Sequence, residues 1–185
     1  MDDIQKIIDI LGLTPLSQEG GLFRSSYRSP GKVDGRDMGS AIYFMLTGQG
    51  YSHLHRLCTD EVYHFYSGDP VELLELLPDG TSRVTVLGSD LCAGQEVQHV
   101  VPAGAWQGSR LRPGGRYGLM GTTMSPGYED SDYEHASDPE ALIAQYPAEA
   151  ARIRLLTGTK MLRVEKNDPL LRAVYETDGQ EGSTD

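Results

Sequence analysis

From Leu22 onward one local pattern recurs: a short run rich in Val, Ile, Leu and Tyr, then a turn built from Gly, Pro or Asp. The runs are Phe23–Tyr27, Ala41–Leu46, Ser52–Leu57, Glu61–Tyr66, Val71–Leu77, Arg83–Leu87, Val97–Val101, Trp106–Leu111 and Tyr117–Thr123. Each has the length and composition of a strand. Leu77-Pro78-Asp79-Gly80 joins two of them as a hairpin loop would. Strands at this spacing, with no helical stretch between them, predict an antiparallel sandwich or barrel. The 22 glycines and 10 prolines then have a use, because they punctuate the strands.

The flanks read differently. Ile4, Ile7, Ile8 and Leu11 recur at helical spacing, with Asp2 or Asp3 to cap the start and Gly12 and Pro15 to end it. Gln18-Glu19-Gly20-Gly21 is a turn. Asp138-Pro139-Glu140 opens a short helix with Pro139 in its first turn, and Pro147 breaks it. Ala148–Leu156 forms one more helix, closed by Gly158. Met161–Val164 and Leu170–Val174 carry some apolar character, and Glu176–Asp185 reads as a frayed polar tail. This divides a single domain into an N-terminal helix (1–17), a barrel (18–135), a C-terminal helical segment (136–158) and an extension (159–185).

Charge narrows the function. Sixteen basic and 27 acidic residues leave a formal net of −11. Such a surface repels phosphate backbones and anionic lipid, which argues against nucleic-acid and membrane partners. Most of the excess acid falls at Glu129–Glu134 and in the tail, read as solvated. The first residues, MDDIQKIIDILGL, carry Lys6 and Asp9 inside the apolar stretch and do not read as a signal peptide. Cys58 and Cys92 match no metal or redox spacing and read as reduced thiols. A cytoplasmic protein is expected.

Chemistry concentrates in the histidines and one carboxylate. His53 and His55 are two apart on a predicted strand, where period-two geometry puts both imidazoles on one face. Glu61 opens the next strand and can return beside them in a hairpin. Two imidazoles and a carboxylate suit a first-row metal with open positions, such as Fe, Mn, Ni or Zn. Two such histidines are as often solvent-facing or core-paired. Tyr63 and Phe65 share the face of Glu61, His64 points the other way, His99 is read as exposed and His135 as solvated. A carboxylate on an inward, partly aromatic face pays desolvation unless it ligates or is hydrogen-bonded, and its pKa rises toward general acid–base use.

His53-Leu54-His55, Glu61 and Gly68 resemble the first cupin motif. Pro102-Ala103-Gly104-Ala105-Trp106-Gln107 resembles the second, with Gln107 where a ligating His would stand. More specifically, the chain resembles cupin family five, the small single-domain branch catalogued as a domain of unknown function. Glu19-Gly20-Gly21, Phe23-Arg24, Tyr27-Arg28, Ala41-Ile42-Tyr43-Phe44, His55-Arg56, Asp60-Glu61, His64-Phe65-Tyr66, Gly68-Asp69-Pro70, Val100 to Gly104 with Trp106-Gln107, and Ser125-Pro126-Gly127-Tyr128 carry the match. The resemblance implies an all-β fold, a double-stranded antiparallel β-helix or cupin jelly-roll barrel, here with an N-terminal helix and C-terminal helical additions. It also implies a homodimer.

It does not imply one activity, because the fold hosts many. The expected site is a cavity between the sheets. Glu61 and His55 are its catalytic pair. Tyr43, Tyr63, Phe65, Gln107 and Arg24 contact a small-molecule ligand. His53, His55, Glu61 and Gln107 hold a divalent metal, if there is one. An amide oxygen is a poor ligand for such metals, so Gln107 weakens that set. The expected function is an isomerase, epimerase, lyase or cyclase working by proton transfer. The alternatives are a non-catalytic binding or sensor module and a storage protein.

Overall fold

The structure, a computed structural model, describes residues 3–48 and 50–158. The expected segments Met161–Val164, Leu170–Val174 and Glu176–Asp185 lie outside the described residues. Thirteen strands and three α-helices are described, and all nine sequence-predicted strands are among them.

Two antiparallel sheets face each other. The first comprises β1 (Thr14–Pro15), β2 (Leu22–Arg28), β5 (Ser40–Thr47), β12 (Tyr117–Met124), β7 (Glu61–Gly68) and β10 (Gln98–Val101), ordered β1-β2-β5-β12-β7-β10. The second comprises β13 (Tyr133–His135), β6 (Tyr51–Leu57), β11 (Trp106–Leu111), β8 (Val71–Leu76) and β9 (Ser82–Leu87), ordered β13-β6-β11-β8-β9. A small hairpin, β3 (Lys32–Val33) with β4 (Arg36–Asp37), stands apart. This is an all-β jelly-roll arrangement, as expected.

Period-two alternation builds the interior. Phe44, Leu46, Tyr63, Phe65 and Met120 from the first sheet pack against Val71, Leu73, Leu87 and Leu111 from the second. A second cluster lies on the outer face of the five-stranded sheet. There Leu54, Leu74 and Leu76 are covered by Leu142 of α2 (Pro139–Gln145), by Tyr146, and by Ile153 and Leu156 of α3 (Ala150–Leu156). Asp138 caps α2 by accepting from the Ala141 amide, and Pro139 fills its first turn. Helix α1 (Asp3–Leu11) lies on the surface with no fully buried residue.

Two places matter for the site. At one flank β9 and β10 bring the sheets together. Leu87 bridges Glu96, the Gly88 amide donates to the Glu96 carbonyl, and the Glu96 amide donates to that of Val86. At the other flank a strap, residues 16–21, crosses the gap. Gly20 and Gly21 both take left-handed φ values of 89° and 74°. A Cβ at Gly20 would strike the Tyr51 carbonyl, and one at Gly21 the Phe44 ring, so only glycine lets the strap lie this close. The Glu19 carbonyl then accepts from the His53 amide at 2.6 Å, fixing Glu19 over the gap.

Candidate functional site

A cavity of about 330 Å³ opens between the sheets beneath the strap. Leu16, Phe23, Ile42, Leu57 and Met124 give it apolar walls, while Glu19, Glu61, Thr122, Arg28 and Asp130 supply most of its polarity. This is the usual composition of a small-molecule pocket.

Glu61, the first residue of β7, is buried at the inner end. Its Oε2 accepts from Gln107 Nε2 at 2.8 Å. Burial pushes its pKa up and the nearby Glu19 charge pushes it further; His55, Thr122 and Gln107 offset this only in part. Glu19 is pushed up to about 7, also by burial. His55, fully buried, donates from Nδ1 to the His53 carbonyl at 2.7 Å. That bond leaves Nε2 as the lone-pair nitrogen of the neutral ring. Nε2 lies 3.7 Å from Glu19 Oε1 and has no hydrogen-bond partner. Burial lowers the His55 pKa despite the pull of Glu61, so the ring stays neutral. Gln107 Oε1 is likewise buried and unpartnered.

Two carboxyls that resist ionisation thus line one pocket, with a neutral imidazole just behind them. Such a set can hold a proton on one group and a lone pair on another at neutral pH.

The expected residues divide. Glu61 lines the cavity, and His55, Gln107 and Tyr63 gather behind it, Gln107 and Tyr63 hydrogen-bonded to it. Phe65 shares their face and, like Tyr63, belongs to the packed core, so neither is a cavity-lining ligand contact. Arg24 and Tyr43 stand on the opposite face of the six-stranded sheet. Arg24 lies over the Tyr43 ring at 5.2 Å, and Tyr43 meets Tyr66 edge-on at 6.1 Å. They are corrected from ligand contacts to surface residues: Phe23 and Phe44, their neighbours in the chain, are the ones that point inward.

His53 is also displaced. Gln107 pairs with His55 and Ser109 with Ser52, so three steps along β6 match two along β11. This bulge breaks the period-two relation between His53 and His55. Buried Ser52 takes the register position next to His55, and His53 lies along the sheet edge, 4.8 Å from Tyr51 and 5.4 Å from His135. Among the described residues no three His, Cys, Asp or Glu side chains converge as a metal set. The donors His53, His55, Glu61 and Gln107 therefore do not fit a divalent metal as placed.

Two other expectations change. His99 is buried, not exposed. It bridges Glu75 (2.8 Å) and Glu96 (2.7 Å), and Arg83 grips Glu75 with two further bonds. Acidic residues 129–134 are not merely solvated. Asp132 is buried and paired with Arg36, Glu134 takes two bonds from Arg56, and Asp130 lines the cavity mouth. Both cysteines are free, as expected, and both are exposed.

Glu19 is the site residue that sequence reasoning missed. It stands in the matched Glu19-Gly20-Gly21 segment, and two consecutive glycines after a carboxylate were the available signal.

Comparison with known proteins decides the family. A model described as the cupin superfamily (DUF985) matches residues 5–136. The chain belongs to this family. The crystal structure of a protein from Shewanella oneidensis is 37% identical to this cupin, with 85% of this chain and 98% of that one covered and a TM-score of 0.77. A hypothetical protein from Leishmania major is 32% identical, with 83% and 98% covered and a TM-score of 0.76. A cupin 2 conserved barrel domain protein from Rhodopseudomonas palustris, 14% identical over 72% of this chain and 79% of its own, shares the fold at a TM-score of 0.52. No curated protein matches the sequence. Among the described residues no helix is long and apolar enough to cross a membrane.

Proposed function

We propose that this cupin is a small-molecule enzyme of the isomerase, epimerase, lyase or cyclase type, acting by proton transfer in the pocket under the strap. Glu61 is the principal acid–base group, Gln107 orients it, and His55 is the second proton carrier. One observation carries the reading: a fully buried, neutral His55 whose Nε2 has no partner stands beside two carboxyls of raised pKa. In an isomerisation, a carbon-bound proton next to an electron-withdrawing group passes to one of these groups. The protonated partner returns a proton elsewhere on the same molecule, and the enzyme ends with its starting proton count.

Hydrogen exchange tests this without a named substrate. The protein is incubated with a metabolite library in D2O, and deuterium incorporation into carbon positions is read by mass spectrometry. Exchange that disappears in Glu61→Gln supports the reading. Selective binding of a library member without exchange would favour the binding-module alternative instead. We also propose a cytoplasmic homodimer on the strength of the family resemblance; light scattering that gives 20.3 kDa, the mass of one chain, overturns the dimer.

A further inference from the structure

Two of the buried atoms left without partners on the inner face are acceptors and nothing else. His55 Nε2 is a lone pair, because Nδ1 already donates to the His53 carbonyl. Gln107 Oε1 is an acceptor, because Gln107 Nε2 already donates to Glu61. Both side chains are at most 1% exposed. Glu61 already accepts from Gln107, whereas Glu19 presents carboxyl oxygens to the cavity. The two unpartnered acceptors and the Glu19 carboxylate call for a donor.

The charges point the same way. Glu19, Glu61 and Asp130 line the cavity, with Arg28 as its one lining cation among the described residues. Arg28 is already engaged: it donates to Asp37 Oδ2 at 3.2 Å and to the Tyr128 carbonyl at 3.1 Å. The basic group set against Glu19 and Glu61 is the His55 imidazole, which burial keeps neutral. Leaving buried acceptors and paired carboxyls unanswered is costly, and a ligand rich in N–H donors and positive charge answers both.

We infer that the pocket takes a small organic cation, whose protonated amine sits on the Glu19 carboxylate at the cavity wall, with Nε2 of His55 behind it, 3.7 Å from that carboxylate. The inference rests on the proposed reading of this pocket as the working site and adds the class of its ligand. The apolar walls of Leu57, Ile42, Phe23 and Met124 hold the carbon skeleton, and the volume limits it to a compact molecule. With the ammonium on Glu19, the charge that opposes ionisation of Glu61 is neutralised, and Glu61 is left free to take a proton from a neighbouring carbon. Carboxylate and phosphate ligands are disfavoured by the same groups.

Three size-matched probes test this on the full chain: butylammonium, 1-butanol and butyrate, titrated at neutral pH and followed by amide chemical shifts. Butylammonium is expected to bind about tenfold or more tightly than either other probe, as a charge-assisted hydrogen bond requires. Calorimetry in buffers of different ionisation enthalpy should show proton release on binding, because the cation displaces a proton from Glu19. Glu19→Gln should remove the selectivity and the proton release while keeping its amide spectrum folded. Butanol or butyrate binding as tightly as butylammonium overturns the inference on the wild-type protein alone. Zinc or manganese chloride shifting the Glu19 and Glu61 amides, with butylammonium inert, identifies a metal site and also overturns it. Absence of deuterium exchange with amine selectivity intact would sink the enzymatic reading and leave this one standing.

Discussion

At the scale of single residues, the pocket holds a liability. A carboxyl whose folded pKa exceeds its unfolded value binds its proton more tightly when folded. Its cost is absent below the unfolded value and grows as pH rises to the folded one. For Glu19 that window runs from 4.5 to about 7. Glu19→Gln should therefore stabilise the protein above neutral pH, by roughly 3 kcal/mol for a shift of this size. It should change little near pH 4 on the same linkage. Urea unfolding across pH checks this, and equal effects at both ends would show that Glu19 is not the strained group. Glu61 was legible because a motif frames it; Glu19 was not, because its partners are brought to it by the fold and not by the chain. His53 was misplaced for a different reason. A one-residue bulge leaves no mark in composition, yet it inverts every parity argument beyond it.

Elements were more legible than contacts. All nine longer strands were readable from their composition and the turns that bound them. The strands β1, β3, β4 and β13 are two or three residues long and carry no period at all. Strand β13 was hidden further by its acidic surroundings. The helices α2 and α3 were readable from their prolines and Gly158, but not their task, which is to shield the outer face of the sheet that holds His55 and Gln107. Ile153 is fully buried there, and Ile153→Ala should cost about 3 kcal/mol in chemical denaturation. Gly108 marks a tight approach. A Cβ there would lie 3.1 Å from the Ser52 carbonyl, 3.2 Å from Leu156 and 3.3 Å from the Leu54 backbone. Gly108→Ala should destabilise by about 1–3 kcal/mol. Since Gly108 follows Gln107, amide shifts around Glu61 should move with it; an unperturbed Glu61 amide would mean the bulge absorbs the strain.

For the molecule as a whole, the two sheets are pinned at the flank away from the strap by buried charge. Burial alone would raise Glu75, but hydrogen bonds from His99 and Arg83 outweigh it and hold the carboxyl below its usual range. The Glu75 bond raises His99 against its burial, with help from Glu96. The histidine contribution is complete below its unfolded value of 6.5 and fades as pH climbs through the raised folded value. The Glu75 contribution is complete above 4.5 and fades as acid titrates it. The link is therefore strongest between those limits. His99→Gln should narrow the stability difference between mildly acidic and alkaline pH, read from thermal midpoints; an unchanged pH profile would remove His99 from the account. The net charge of −11 is not a property of the outer surface alone, since three acidic side chains line the cavity as well.

The strap that closes the cavity is also the segment that delivers Glu19. Wall and reagent are therefore one piece of chain. The two glycines that let residues 16–21 lie against Tyr51 and Phe44 also set how far the Glu19 carboxylate stands from His55. A substitution that pushes this segment outward would carry the acid group with it, so the width of the cavity and its acidity cannot be changed one without the other.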